Sequence, residues 1–264
     1  VLDNDLKVID GTEAGAWIEP RLGGEFGAVT LQVPRGYENY ARIFHRASDR
    51  EGKPVSWSHV AELLGTTAHR AMQWHAVVGC ADPDALPSPK WPGEPMVGEL
   101  DHTQLDTLCE ILIAHTDEPE RCFFGLCSIL GWVEEVLPPE KLGQPRLELP
   151  MGRDHIVLQG PLSAVGQIGA KAPFGLSLTL VADGVDPRER AGISEHEIRC
   201  SPSLIWPGNR SWFVASEVDF DSTLVGGSPA LIDAIVRSPE LEAWIVEPDD
   251  SLACDADKIN DVDA

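Results

Sequence analysis

The chain has 264 residues, 43% of them hydrophobic and 24% charged, which is enough apolar material for a sizeable core and argues against wholesale disorder. Its 43 Asp and Glu against 20 Lys and Arg give a net charge of -23. A surface that negative repels phosphate backbones and anionic lipid, so nucleic acid and membranes are not expected partners, whereas a basic protein or a divalent cation is electrostatically suited.

The acidic opening "VLDNDLKVIDGTEAG" lacks the basic-then-apolar pattern of a secretory signal, and residues 1–16 read as a flexible acidic arm. "GAVTLQV" is β-rich and is stopped by Pro34-Arg35-Gly36. In "YENYARIFH", Tyr37, Tyr40, Ala41 and Phe44 fall at i, i+3, i+4 and i+7, the spacing of an amphipathic helix. "SWSHVAELLGT" predicts a second helix, capped by Ser56 or Ser58 and ended by Gly65. "AHRAMQWHAVVG" fits helix and strand alike, and the proline-rich 81–98 reads as loop.

"DHTQLDTLCEILIAHT" is the clearest helix. Asp101 is its N-cap, Gln104 sits three residues on as in a capping box, and Leu105, Leu108 and Leu112 form a buried stripe. "RCFFGLCSILGWVEEVL" predicts a core strand, and "PRLELP" and "DHIVLQGPL" two shorter ones. Residues 163–203 read as an irregular insertion. "LIW-PGNR-SWFVASEVDF" predicts a hairpin closed by a Pro-Gly turn, "SPALIDAIV" a helix with Ser228 as N-cap and Pro229 in the first turn, and "LEAWIVEP" a last strand. Residues 249–264 read as an acidic tail. The elements are interspersed without regular βαβ spacing, so the fold class is α+β: one mixed domain over 17–248, mainly antiparallel sheet with packed helices.

The run "SPSLIWPGNRSWFVASEVDFDSTLVGGSPALIDAIVRSPELEAWIV", with "VPRGYENYARIFH", "HTDEPERCFFGL" and "PRLELP" ahead of it, resembles an uncharacterised bacterial protein family. The resemblance covers most of the chain and implies no activity or catalytic residue. Family members often carry Trp where this sequence has Cys127, so a pocket lined at that position would be altered here. A weaker likeness, at the level of fold, is to cell-wall-regulator-like immunity proteins.

Glu217, Asp219 and Asp221 are the first candidate site. On an extended strand they share one face, with Trp212, Val214, Val218 and Phe220 on the other, and three carboxylates could hold a divalent cation or raise one another's pKa. The same alternation equally describes a solvent-facing strand with its apolar side inward. The second candidate is the turn Gly226-Gly227-Ser228 at a helix N-terminus, where free N–H groups could take an anion or nucleotide with Arg210 as the nearby cation. It lacks a phosphate-loop Lys, and Ser228-Pro229 is also what a plain capped helix uses. Trp91, in "SPKWPGEP", is a candidate recognition aromatic.

The eight His contain no HExxH, and no GxSxG elbow is present. Cys127 with His115 or His155 is a conceivable thiol–imidazole pair, against which its apolar flanks predict an inert thiol. Cys122 and Cys127, five apart on a strand, should point to opposite faces. With no CxxC among the six Cys, buried reduced thiols in the cytoplasm are expected. The reading that follows is a soluble cytoplasmic binding protein, without catalysis of its own, that recognises a protein partner through an acidic face. No cofactor is expected beyond a conceivable divalent cation. The alternative is a hydrolase using Glu217 and Asp219 with a histidine, or a small-anion binder at Gly226–Ser228.

Overall fold

The computed structural model describes residues 5–83, 87–130, 133, 137, 142–170 and 198–260. Its fold is α+β. The main sheet runs β1 (Lys7–Ile9), β7 (Arg153–Gly160), β5 (Cys122–Cys127), β10 (Leu204–Pro207), β11 (Phe213–Ser216), β12 (Ser222–Gly227), β2 (Asn39–Phe44), β13 (Ala243–Val246), and every pair is antiparallel. A short β6 (Leu147–Leu149) pairs with the N-terminal half of β7, where β1 no longer reaches. The helices are α1 (Gly11–Gly15), α2 (Val29–Gln32), α3 (Trp57–Leu64), α4 (Trp74–Val77), α5 (His102–Ala114) and α6 (Pro229–Val236). Two small ladders, β3 (Ala47–Ser48) with β4 (Pro54–Val55) and β8 (Gly169–Ala170) with β9 (Ile198–Arg199), lie outside the main sheet.

Both faces of the sheet are covered. On one, α5 and α6 bring Leu105, Leu108, Leu112, Leu231, Ile232 and Ile235 onto Phe124, Ile156, Val214 and Val225. On the other, Trp17, Ile18, Val29 and Val33 pack on Phe123, Val157, Trp206 and Phe213. A third cluster around Phe44, Trp57 and Trp74 joins α3 and α4 to the end of β2. Burial on both faces explains why alternation is hard to see in the strands: β5 and β12 are buried at every position.

The capped helices form as their sequences require. Asp101 accepts from the backbone N–H of Thr103 and Gln104 at 2.9 and 3.0 Å, and Ser228 Oγ accepts from Leu231 N–H at 3.3 Å. Ser56 caps α3 by accepting from His59 N–H at 3.2 Å, and Gly65 ends it at φ 76°, a left-handed conformation that disfavours a side chain. Strands β5, β6, β10, β11 and β13 lie within the predicted runs, and β7 starts one residue ahead of its run, at Arg153.

Four expectations are corrected. "YENYARIFH" is strand β2 and not a helix; its helical spacing is a coincidence of a strand with Ala41 and Ile43 buried on one face and Tyr40 and Phe44 on the other. "GAVTLQV" contains the helical turn α2, because the N–H groups of Val29 and Thr30 are taken by the carbonyls of Asp250 and Pro248 at 3.1 Å each. The N-terminal arm, from residue 5 on, is no arm: β1 is an edge strand and Asp10 caps α1. The acidic tail packs back through residue 260: Asp257 accepts from Gln73 N–H, and Asn260 exchanges two 2.8 Å hydrogen bonds with the backbone of Thr67. Of the insertion, 171–197 lie outside the described residues.

Candidate functional site

The Glu217–Asp221 segment is the turn between β11 and β12, so its three carboxylates do not share a strand face. Ribbon geometry ends at Ser216. Arg153 separates the first two from the third. Its Nε donates to Glu217 Oε1 at 2.7 Å, and its other terminal nitrogen pairs with Asp219. Asp221 faces the fully buried Arg42 at 3.6 Å instead, and burial pushes its carboxyl pKa up. Among the described residues, no group of three or more His, Cys, Asp or Glu is placed to hold a metal ion.

The Gly226-Gly227-Ser228 stretch is also displaced from the reading as an anion cradle. Both glycines are β12 residues. A Cβ at Gly226 would lie 2.6 Å from the Tyr37 ring, and one at Gly227 2.7 Å from Leu231 Cδ2. The missing side chains admit neighbouring side chains and leave no room for a ligand. Arg210 occupies a left-handed φ of 58° in the β10–β11 turn and stacks on Trp17, 5.0 Å from its ring centre. Trp91 is half-buried against the third cluster, with its Nε1–H donated to Ser48 O at 2.8 Å.

What the fold does bring together is Cys127 and His155. They stand directly opposite each other in the β5–β7 register, which puts their Cβ atoms about 5 Å apart on one face. His155 is also the register partner of Leu147 on β6, so the ring sits among three strands. His115, the other histidine considered for Cys127, caps the far end of α5. Cys122 points into the opposite core from Cys127, as the spacing of five requires.

Cys127 and His155 line a cleft at one end of the sheet. Leu22, Leu31, Gln32, Leu149, Pro150 and Met151 close one side; Arg153, Ser203, Leu204, Ala215, Ser216, Glu217 and Val218 complete it. Its interior volume of about 30 Å³ has room for roughly two waters. Met151 holds a left-handed φ of 66° at its lip, an uncommon state for a residue with a side chain.

Three polar side-chain atoms of residues that line this cleft are buried without a hydrogen-bond partner among the described residues: Gln32 Oε1, His155 Nδ1 and Ser203 Oγ. An unmade hydrogen bond in the interior costs about 1–3 kcal/mol, which a bound polar group or ordered water in the cleft would recover. Burial pushes the His155 pKa down to about 4, which keeps the ring neutral at pH 7. Burial pushes the Cys127 thiol up, and the neighbouring Glu217 carboxylate adds to the effect.

Sequence reasoning missed Gln32, Arg153 and Ser203. Each belongs to a different segment with no motif around it, and only the β5–β7–β11 geometry unites them. Fold and site together define an antiparallel α+β protein with a small, polar-lined cleft where the sheet meets its α1–α2 layer. No family model, no curated protein and no solved structure matches the chain.

Proposed function

We propose that this chain is a binding protein without catalysis of its own, whose ligand places a small polar group in the cleft between Gln32, His155 and Glu217. The observation that carries this reading is the set of three buried, unpartnered polar atoms on residues of one cavity. Such groups are stabilised once a ligand or ordered water completes them, and a ligand that does so recovers the cost of their burial.

The geometry favours binding over hydrolysis. A nucleophilic Cys127 needs a thiolate and a base near neutral pKa. Here burial raises the thiol and depresses the imidazole, so the pair rests as neutral thiol and neutral ring. Glu217 is held in the Arg153 ion pair. Cys80, Cys109, Cys122, Cys127 and Cys254 are free thiols, which supports a reducing, cytoplasmic setting. No helix among the described residues is long and apolar enough to cross a membrane.

The test is thermal melting against a panel of small polar compounds, run on wild type and on Gln32→Leu. A compound that raises the Tm of the first and not the second supports the reading, since a ligand of the native state stabilises by mass action. A panel without effect on either protein, together with turnover of any ester or amide substrate lost in Cys127→Ala, would overturn it in favour of an enzyme.

A second reading, recognition of a protein partner, is favoured by a different feature. The strand β13 exposes Trp244 and Ile245 next to a sheet edge that no other strand among the described residues pairs. Alanine at both positions would release a captured partner if that edge is the contact.

A further inference from the structure

The binding reading leaves the chemistry of the ligand unspecified, and the hydrogen-bond inventory of the cleft constrains it. Gln32 Oε1 is an acceptor only. The His155 Nδ1 is buried without a hydrogen-bond partner among the described residues, and in the tautomer that carries its proton on Nε2 it presents a lone pair. Glu217 commits Oε1 to Arg153 and has further lone pairs on its second oxygen. The unpartnered atoms of the cleft are therefore mostly acceptors, while Arg153 commits its Nε and one terminal nitrogen to Glu217 and Asp219. Ser203 Oγ can take either role.

Charge points the same way. At the rim one guanidinium, Arg153, is shared by two carboxylates, Glu217 and Asp219. Asp154 next to it is matched by Arg146 at 2.7 Å. One negative charge is left over at the mouth, on a chain whose net charge is -23. An anion entering here would meet lone pairs and an uncompensated carboxylate; a cation would meet partners. Size sets the last limit. About 30 Å³ admits a head group of roughly two heavy atoms, while Leu22, Leu31, Leu149 and Leu204 offer an apolar wall for a stem.

We propose that the cleft is a receptor for a primary ammonium group on a short apolar stem, its three N–H donors matched to Gln32 Oε1, His155 Nδ1 and the Glu217 carboxylate. This rests on the cleft being a ligand site. The same chemistry is offered by a free alkylamine and by a lysine side chain of a protein, and the experiment separates the two.

Calorimetric titration at pH 7 uses n-butylammonium, Nα-acetyl-lysine methylamide, butyrate and n-butanol as probes. Binding of either ammonium probe, with neither butyrate nor butanol bound, is the expected result. Tighter binding of the lysine derivative marks a protein side chain as the source, and tighter binding of butylammonium marks a free amine. Gln32→Leu and Glu217→Gln should each weaken the ammonium by about tenfold or more, since hydrogen bonds to a charged group are the strong ones. Gln32→Glu keeps the acceptor and adds charge, and should tighten it. That gain keeps the test decisive should the loss variants fold poorly. Binding of butyrate or butanol in place of the ammonium overturns the ligand class and leaves the cleft a ligand site. Failure of every probe, with only water in the cleft of a crystal soaked in butylammonium, overturns the ammonium receptor; failure of the wider compound panel as well removes the ligand site itself.

Discussion

Two buried histidines, His155 on β7 and His45 just after β2, lie on either side of the sheet's centre in strand order, and burial pushes both pKa values down to about 4. Their surroundings differ in one respect. His45 uses both ring nitrogens: Nδ1 meets Met96 O at 2.7 Å, and Nε2 meets Thr223 Oγ1 at 2.8 Å, which in turn bonds Ser216 Oγ at 2.6 Å. Its neighbour Arg42 is fully buried yet donates to Ser222 Oγ and to the Met72 carbonyl at 2.9 and 3.0 Å, over the ring of Phe44. This network is nearly complete and belongs to the fold. His155 leaves one nitrogen unmatched beside a cavity. Burial and a depressed pKa are thus common to scaffold and site, and the Arg42 network also leaves one nitrogen, Nη2, without a partner; what distinguishes the site is that three such atoms belong to residues of one cavity.

The largest effect that would sharpen this contrast is expected at Arg42. Replacement by Ala strands Asp221, Ser222 and the Met72 carbonyl in the interior, and urea unfolding should show a loss of about 3–5 kcal/mol. A loss below about 1 kcal/mol would mean that the network is not a structural unit. Next in size, His45→Leu removes two good bonds and should cost about 2–3 kcal/mol, whereas His155→Leu removes an unpartnered nitrogen and should cost about 1 kcal/mol or less. Equal costs would erase the distinction drawn between the two histidines.

Acid supplies a third probe. Both rings bind their proton more weakly when folded than when unfolded, so the unfolded chain takes up more protons below the ordinary histidine pKa near 6.5. Stability should therefore hold above pH 6.5 and fall as pH drops toward 4, by at most about 3 kcal/mol per ring. Asp221 and Glu242, whose burial raises their pKa, offset part of this by protonating early. In His45→Leu the slope across that window should shrink by about half, read from melts at stepped pH. The smallest effect is Ser203→Ala. Its hydroxyl has no partner among the described residues, so unfolding should move by no more than about 0.5 kcal/mol, while Thr223→Val, inside the His45 network, should cost about 1–3 kcal/mol.

Local chemistry was legible wherever a short segment contains its own reason to fold. Asp101, Ser56, Ser228 and Gly65 mark helix ends because capping depends on residues three or four apart. The α+β class followed from interspersed elements. The errors share one cause. A strand buried on both faces, as β2 is, shows no alternation to read, and three of its residues, with Tyr37 just ahead of it, happened to match a helical period. Residues 1–16 and 249–264 looked like acidic, solvated ends, yet β1 pairs along the edge of β7 and Asp250 of the tail supplies one of the two carbonyls that hold α2.

The sequence by itself determined the helix caps, the antiparallel α+β class, the opposite facing of Cys122 and Cys127, and a charge that disfavours anionic partners; these depend on neighbours in the chain or on totals. The pairing of Cys127 with His155, the capture of Glu217 and Asp219 by Arg153, and the cleft with its unmatched Gln32 were decided by the tertiary structure alone. Those contacts join residues separated by up to 185 positions between Gln32 and Glu217. No local propensity ties such residues together. Only strand order and register bring them to one place.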